Sequence, residues 1–528
     1  MAIEALDLTE AKMAVAARYA ALARKSGPVQ SGSRLFSAAQ MGRLTFDWAM
    51  SILSRDQKLW TDLRKLRSRS RELADNDPTA AKFLSLCEAN VIGKHGVRMQ
   101  PQVKNLRGNG LTDALNKQIK DEWGKWCKAG NCTVDGKQSF DELERLLIRT
   151  AAMDGEFIVI KRAVSNPWGF SLQRMDMDQL DHTFFLEQTT RGTEIRMGVE
   201  VDKDMRPVAY HLWNRHPNEW SARPNDRVRV PADIVVHAFR MDSASQTRGV
   251  PWMAPAMFQM NMLRGYMEAE VTAARVGACQ MGIITSKNGA GEYTAEERNA
   301  DGTIDMEATP GGFLNIGAGH EFSEFKPDHP NTAFGNFVKE VKRGIAASLG
   351  VSYNSLAEDL ESVNFSSIRA GLLNERDMWR VRQKWMIETF HKPVFAQWLE
   401  NSVLAGRIDI GARDIDTVIE QIKWHPRGWP WVDPVKDQQA NALGVQNGFT
   451  TRHRLVAETG YDFEDTLDEL AEEEKMINAR GLKLGTDAKG VADAPEDSKE
   501  GDAEKSKGGS GGSVLELQTN THMESPRN

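Results

Sequence analysis

The longest stretch of helical periodicity in the chain runs from Ser366 to His391. This stretch contains no proline, and Gly371 is its one glycine. At about 1.5 Å per residue it would span roughly 39 Å. Pro393 cannot donate a backbone hydrogen bond and crowds the carbonyl of Thr389, so the helix should kink or restart there. The apolar positions that recur at helical spacing are Ile368, Leu372, Trp379, Met386 and Phe390.

Similar spacing predicts helices in several other parts of the chain. Residues 1 to about 75 are expected to be mostly helical, and two helices are expected over 112–155. The second of these should run from Phe140 to Met153 and end at Asp154-Gly155. Long helices are also predicted over Pro251–Met281 and Asn331–Leu349.

Short runs of β-branched and aromatic residues, bounded by turn residues, predict strands between and after these helices. They do not alternate with helices in βαβ order, so we expect an α+β fold that is mainly helical. The predicted strands are Glu156–Lys161, Ile195–Val201, Val208–Trp213, Ile234–Phe239, Phe313–Ile316 and Glu321–Phe325.

Composition limits the classes of protein to consider. With 528 residues the chain is long enough for about three domains. No apolar run approaches the ~20 residues that cross a bilayer, and the N-terminus lacks the layout of a signal peptide. Four cysteines suit a reducing compartment better than a disulfide scaffold. Cys127 and Cys132 have the spacing of half a zinc site, but no second ligand pair follows, which favours ordinary thiols.

Charge argues against a protein that coats duplex DNA tightly, because the formal net charge is −7. Basic residues nevertheless concentrate in 55–71, where seven Lys or Arg face two Asp. A solvated helix face explains this run, and so does a contact with nucleic acid, scaffold or a neighbouring subunit.

Motifs of bond-making chemistry are absent from the sequence. The segment Gly130–Gln138 is the nearest approach to a phosphate-binding loop, but its spacing is wrong and Gln138 stands where Ser or Thr would hold magnesium. Asp176, Asp178 and Asp181 suggest a metal cluster, although a turn with a solvated edge explains them better. We therefore predict no catalytic residues, no metal and no cofactor.

Several sequence signatures resemble the lambda-type family of tailed-phage portal proteins. They occur in the same order as in that family and cover roughly residues 55–480. The signatures are KLRSRSREL at 65–73 with NDP and NVIG after it, VSYNSLAEDLESVNFSSIRAGL at 351–372, and WVDP-K at 431–436 followed by NGFTT and AETGYD.

The resemblance implies the portal fold, with wing, stem, clip and crown regions, assembled as a ring. It divides the chain into a helical and β-rich wing (1–250), a first stem helix (251–281), a clip (282–330) and a second stem helix (331–350). A tunnel loop (351–365) and a long wing helix with its following segment (366–423) come next. A crown-side helical region (424–484) and a disordered tail (485–528) complete the expected layout.

Residues 331–365 are the expected DNA channel. Phe337, Val341, Ile345 and Leu349 recur every four residues and predict a packing stripe. The basic and acidic channel residues lie outside that stripe, and the acidic ones are expected to have no basic partner. A basic ring near an acidic ring would touch phosphates without capturing them. The predicted channel residues are Lys339, Lys342, Arg343, Asn354, Glu358, Asp359 and Glu361.

The same resemblance implies the partners and the location. It implies a ring of twelve subunits at one capsid vertex, through which double-stranded DNA is packaged and ejected. Expected partners are the large terminase, the major capsid or scaffold protein and a head-completion adaptor, with no membrane. The protein is expected in the virion after assembly in the host cytoplasm.

Two other functions stay open at this stage. The first is a metal-dependent nucleic-acid enzyme that uses the acidic cluster at 176–181. The second is a different virion or tail-adaptor component, which would also form a ring but would explain the helix, clip and helix order poorly.

Overall fold

The computed structural model describes residues 51–104, 112–220, 226–279, 283–286, 320–323, 333–359, 361, 365–429, 434–458 and 463–481. The chain divides into two units, Met1–Asp462 and Phe463–Asn528. Expectations for residues 1–50, the strand at 313–316 and the tail from 485 lie outside the described residues. Among the described helices, none has both the length and the apolar composition needed to cross a bilayer.

The first half of the chain begins with helices and continues with strands, and its mainly helical α+β character is as predicted. Its helices are α1 (Arg55–Asn76), α2 (Pro78–Cys87), α3 (Thr112–Trp126) and α4 (Phe140–Asp154). Its strands are β1 (Arg98–Pro101), β2 (Glu156–Ala163), β3 (Phe170–Met175), β4 (Glu194–Arg196), β5 (Val199–Val201), β6 (Pro207–Trp213), β7 (Arg227–Pro231) and β8 (Val235–Phe239).

The second half contains the long helices. They are α5 (Met257–Cys279), α6 (Phe334–Leu349), α7 (Tyr353–Ala357), α8 (Phe365–Met386), α9 (Lys392–Leu404), α10 (Ile415–Glu420), α11 (Pro434–Gln446) and α12 (Arg452–Glu458). Its strands are β9 (Ile283–Ser286), β10 (His320–Ser323) and β11 (Ile422–His425). In the second unit, α13 covers Phe463–Ala479.

The sheets are antiparallel throughout the described residues. The order β3-β2-β8 forms one sheet and β4-β5-β6-β7 forms another, while β1 pairs with β11 and β9 with β10. The single strand predicted at Ile195–Val201 is in fact a hairpin, because Met197 and Gly198 both adopt positive φ and turn the chain between β4 and β5. The strands β1, β3, β7 and β11 were not predicted.

The helix ends follow local chemistry. Ser139 caps α4 in a capping box with Glu142, and Gly155 ends it with a φ of 91°. At Pro393 the long helix does restart: a π-helical turn over Ile387–His391 separates α8 from α9. A π-helical turn contains one residue more than an α-helical turn. The wider turn accommodates the missing N–H and the crowding that Pro393 introduces.

The main core is rich in aromatic side chains from distant parts of the chain. Trp123 contacts Trp126, Phe395 and Trp398 with ring centroids 4.9 to 5.4 Å apart. Trp424 joins them from β11, with its ring 6.2 Å from that of Trp123. The core therefore ties α3 to α9 and to the strand that follows α10.

A buried carboxylate links α1, the sheet and the segment that leads into α5. Glu156 accepts hydrogen bonds from Arg248 Nε (2.8 Å) and the backbone N–H of Gly249 (2.7 Å), and it also pairs with Arg67. His237 Nε2 lies 2.8 Å from its second oxygen. Burial opposes the charge of Glu156, but the two arginines and His237 hold its pKa well below the usual range.

Two glycines make this junction possible. A Cβ on Gly155 would lie 2.3 Å from the carbonyl carbon of Val250, and one on Gly249 would lie 2.2 Å from the oxygen of Gly155. Backbone therefore packs directly on backbone where α4 ends and β2 begins.

Replacement of Glu156 by glutamine should destabilise the fold by about 3 to 5 kcal/mol, since it leaves two buried guanidinium groups without their carboxylate. Urea unfolding followed by tryptophan fluorescence measures this. The matched control is Glu388→Gln, which breaks an exposed pair with Lys392 (2.7 Å) and should cost less than about 1 kcal/mol. Equal losses for the two variants would contradict the structural role assigned to Glu156.

Candidate channel segment

The segment begins with α6, whose predicted packing stripe divides into two halves. Ile345 and Leu349 are buried in the main core, and Val341 packs against it. Phe337, at the other end, is 51% exposed and lies 5.1 Å from the ring of Tyr266 on α5. The stripe therefore fixes the C-terminal half of α6 to the core and leaves its N-terminal half against α5.

The turn after α6 is tightly built. Gly350 ends the helix with a φ of 70°, and a Cβ there would lie 2.8 Å from Met378 Sδ. Ser352 then caps a new helix, α7. The polar loop that was predicted over 351–365 therefore starts with a helical turn, because the capping serine satisfies the first free N–H groups.

Glu375 on α8 holds this turn in place. Its Oε2 accepts hydrogen bonds from the Ser352 backbone N–H (3.2 Å) and the Ser355 hydroxyl (2.9 Å). Its Oε1 accepts from the indole N–H of Trp379 at 3.1 Å. A buried carboxylate thus positions α7 on the long helix.

The three predicted basic channel residues differ in their surroundings. Lys339 Nζ lies 3.0 Å from Asp359 Oδ2. Arg343 pairs with Glu340 and places its guanidinium 5.6 Å from the ring centre of Tyr353. Lys342 has no ion-pair partner among the described residues.

The prediction that the acidic loop residues lack basic partners was wrong. Glu358 pairs with Lys82 on α2, and Asp359 pairs with Lys339. Lys82 and Glu358 are 276 positions apart in the sequence, so neighbouring residues gave no signal of the pair. Two of the acidic residues therefore anchor the loop to α2 and α6 as well as contributing negative charge.

Tyr353 is the centre of this arrangement. Its hydroxyl donates to Asp359 Oδ2 at 2.8 Å, and Lys339 Nζ lies 5.7 Å from its ring centre. Hydrogen bonds from Lys339 and Tyr353 lower the pKa of Asp359, while burial and Asp359 raise the pKa of Tyr353. Tyr353 was not among the predicted channel residues, although it stands inside the signature at 351–372.

The remaining predicted residues lie at the edge of the loop. Asn354 is half-buried and lines a cavity of about 520 Å³ together with Glu358, Trp379 and Trp429. Glu361 is exposed, and its backbone N–H donates to Asp359 Oδ1 at 3.1 Å. The structure thus brings Lys339, Asp359 and Glu361 together, with Glu358 turned towards α2.

The acidic cluster suggested as a metal site is only partly assembled. Asp176 and Asp178 lie close to His216, but Asp181 is paired elsewhere, with Arg227 at 2.7 Å. Arg71 donates to Asp178 at 2.7 Å and to Asp176 at 3.3 Å. A guanidinium already provides the positive charge that a metal would supply, so the cluster is explained by ion pairing and does not favour a metal-dependent enzyme.

The cysteine pair is explained by packing as well. Cys132 Sγ lies 3.3 Å from the carbonyl oxygen of Gln138, and Cys127 and Cys132 are both free thiols. Burial raises the pKa of Cys132 to about 12, so this thiol is protonated at neutral pH.

Lys339→Ala should loosen the loop. Asp359 loses the cation that pairs with it, and the ring of Tyr353 loses one of the two cations beside it, Lys339 and Arg343. We expect cleavage after Glu358 or Glu361 by a glutamate-specific protease to become several-fold faster at neutral pH. Lys342→Ala is the matched control and should leave the rate unchanged.

The ion pair between Lys339 and Asp359 should also depend on pH. Because the pKa of Asp359 is lowered, the pair is fully present above the unfolded pKa of about 3.9 and is lost as pH falls through the folded value.

Comparison with known proteins assigns the family. Residues 41–383 match the model of the lambda family of phage portal proteins. The chain is 34% identical over 459 residues to a probable portal protein of Halomonas phage phiHAP-1, covering 85% of this chain and 88% of the relative. It is 20% identical over 485 residues to portal protein B of Escherichia phage lambda, covering 83% and 88%.

Among solved structures, the chain is similar to a chain in the neck of a native GTA (gene transfer agent) particle computed with C12 symmetry. Identity is 14%, the match covers 76% of this chain and 93% of the other, and the TM-score is 0.41. Because this score lies below 0.5, the assignment rests on the sequence matches, which extend over most of the chain. The chain therefore belongs to the lambda family of phage portal proteins.

Proposed function

We propose that this portal protein assembles as a ring of twelve copies at one capsid vertex and that double-stranded DNA passes through the ring during packaging and ejection. The clip, 282–330, docks the large terminase first and a head-completion adaptor later. The outer surface contacts the major capsid or scaffold protein. The protein assembles in the host cytoplasm, becomes part of the virion and catalyses no reaction.

The observation that carries the ring is the exposed apolar surface of α5. Phe258 and Met262, one turn apart, are 76% and 58% exposed. Val271 is 67% exposed and Met267 is 37% exposed. Since each residue advances a helix by about 100°, Met267 and Val271 lie on the face opposite to Phe258. Exposed apolar surfaces of this kind mark protein contacts.

A helix with apolar side chains on two opposite faces suits a ring. In a closed ring each copy contacts its two neighbours through two different surfaces. A single helix placed between neighbours would then bury both faces, whereas an isolated chain leaves both in water. Assembly therefore removes an apolar area that the fold itself does not cover.

The charges of the channel segment support a lining that touches DNA weakly. Of the three basic residues, Lys339 and Arg343 are paired with carboxylates, and Lys342 has no such partner among the described residues. One contact through Lys342 in each copy would give repeated, exchangeable phosphate contacts instead of tight capture. Weak contacts of this kind allow DNA to slide.

Phe258→Glu with Met262→Glu should prevent ring closure, because charge replaces apolar side chains on one face of α5. Val271→Glu should do the same on the other face. Light scattering should give a mass near 59.0 kDa for each variant instead of about twelve times that value. The control, Leu404→Glu, changes an 85% exposed leucine on α9 and should leave the ring intact.

Mixing the two kinds of variant sharpens the test. Each has one intact face, so an equal mixture should form pairs of twice 59.0 kDa and nothing larger. Rings that persist in both variants would show that α5 is not the contact between copies.

Lys342→Ala should weaken DNA binding with little effect on assembly. For the assembled ring, the affinity for a short duplex should fall. The slope of log affinity against log salt should become shallower by about 0.9 for each phosphate that the ring no longer neutralises. Lys203→Ala, in the exposed turn before β6, is the control. An unchanged slope would remove Lys342 from the channel lining.

The combined replacement of Lys339, Lys342 and Arg343 by alanine should spare ring formation but alter the length or the retention of packaged DNA. Gel analysis of DNA extracted from purified particles measures this. Wild-type length and retention in the triple variant would contradict a role for these side chains in DNA passage.

A further inference from the structure

A groove of about 1100 Å³ lies between α8, the π-helical turn that follows it, and the segment after β11. Apolar side chains form much of its wall. Among them are Leu373, Ile387, Ile419, Ile422, Trp424 and Trp429. The groove lies in the first unit of the chain, and nothing in the proposed function uses it.

The border of the groove is strongly basic in a chain whose net charge is −7. Seven lysine and arginine side chains line it, against the two carboxylates of Glu388 and Glu420. Two of the seven are already in ion pairs: Lys392 with Glu388 and Arg380 with Asp377, both at 2.7 Å. The basic residues are Arg376, Arg380, Lys384, Lys392, Lys423, Arg427 and Arg454.

Several hydrogen bonds hold the groove in shape. The side chain of Gln383 donates to the carbonyl oxygens of Asn90 (2.8 Å) and Arg427 (2.9 Å), which fixes the segment after β11 on α8. The indole N–H of Trp429 donates to Asn90 Oδ1 at 3.0 Å. The aromatic wall is therefore rigid before anything binds.

The arginines in the groove crowd one another. The guanidinium groups of Arg376 and Arg380 both lie 5.9 Å from the ring centre of Trp429. Burial and Arg380 lower the pKa of Arg376, and burial and Arg376 lower the pKa of Arg427. An anionic group placed among them would relieve this repulsion.

The helix α13 has the complementary chemistry. Residues 461–475 contain eight Asp or Glu and one Lys. Leu467 and Leu470, about one turn apart, are 47% and 54% exposed, so the helix presents apolar side chains among its carboxylates. Duplex DNA would match the basic border but has no side chains for the apolar wall, which favours an acidic amphipathic helix.

We propose that the groove binds the helix α13 of a second copy of the chain, with Leu467 and Leu470 on the apolar wall and the carboxylates against the arginines. The proposal rests on ring assembly, because a neighbouring copy must be present. It adds a contact between copies that is electrostatic and separate from the apolar faces of α5.

A photo-crosslinking amino acid in place of Leu373, which is 46% exposed at the groove, tests the proposal in the full-length assembled protein. Illumination should give a product of two chains, and mass spectrometry should locate the link within residues 463–479. A product that links only residues of one chain, or that links other segments, would overturn it. So would a crosslink to an added duplex in place of a second chain.

Charge reversal tests whether ion pairs between the groove arginines and the carboxylates of α13 hold α13 in the groove. Arg376→Glu with Arg380→Glu should lower the yield of the two-chain product at least 10-fold, and so should Glu473→Arg with Glu474→Arg. Combining the four changes should restore the yield. The control, Arg162→Glu with Arg191→Glu, reverses two exposed arginines elsewhere and should have no effect.

The mass of the uncrosslinked sample separates the two hypotheses. Rings without the two-chain product would overturn the groove proposal and leave the portal ring standing. A chain that stays monomeric would overturn the ring, and the groove contact with it.

Discussion

The buried carboxylate of Glu156 is the interaction on which the arrangement of the first unit depends. It joins Arg67 on α1, His237 on β8 and Arg248 in the segment that leads into α5. A carboxylate that is fully buried is costly unless it is paired. These elements must therefore meet at one point.

The channel segment depends on a second set of buried and half-buried polar groups. Glu375 holds the turn after α6 to α8, and the ion pair between Lys339 and Asp359 ties the loop after α7 to α6. The same pairing removes charge from the surface, so the segment is less basic towards an external polyanion than its sequence suggests. The ion pair that holds the loop in place is thus the same one that makes the segment less basic.

Two kinds of surface remain for other copies, and they differ in chemistry. The apolar faces of α5 gain free energy from burial in proportion to area and depend little on salt. The basic groove beside α8 depends on charge, so its contribution should weaken as ionic strength rises. A ring that used both would have one contact that is insensitive to salt and one that weakens as salt is added.

What local sequence determines is visible in particular elements. The spacing of apolar residues gave α4, α6 and α8 nearly to their ends, and Pro393 marked the restart before α9, because these features depend on residues within a few positions of one another. The family signatures, in their order, gave the portal assignment that the comparisons confirm.

What the sequence left undecided depends on residues that are distant along the chain. The pairing of β1 with β11, the ion pair of Lys82 with Glu358, and Arg71 among Asp154, Asp176 and Asp178 join segments far apart in the sequence. No local pattern encodes such pairs. Only the packed chain brings the charges within a few ångströms, and those distances decided which acidic residues anchor the loop.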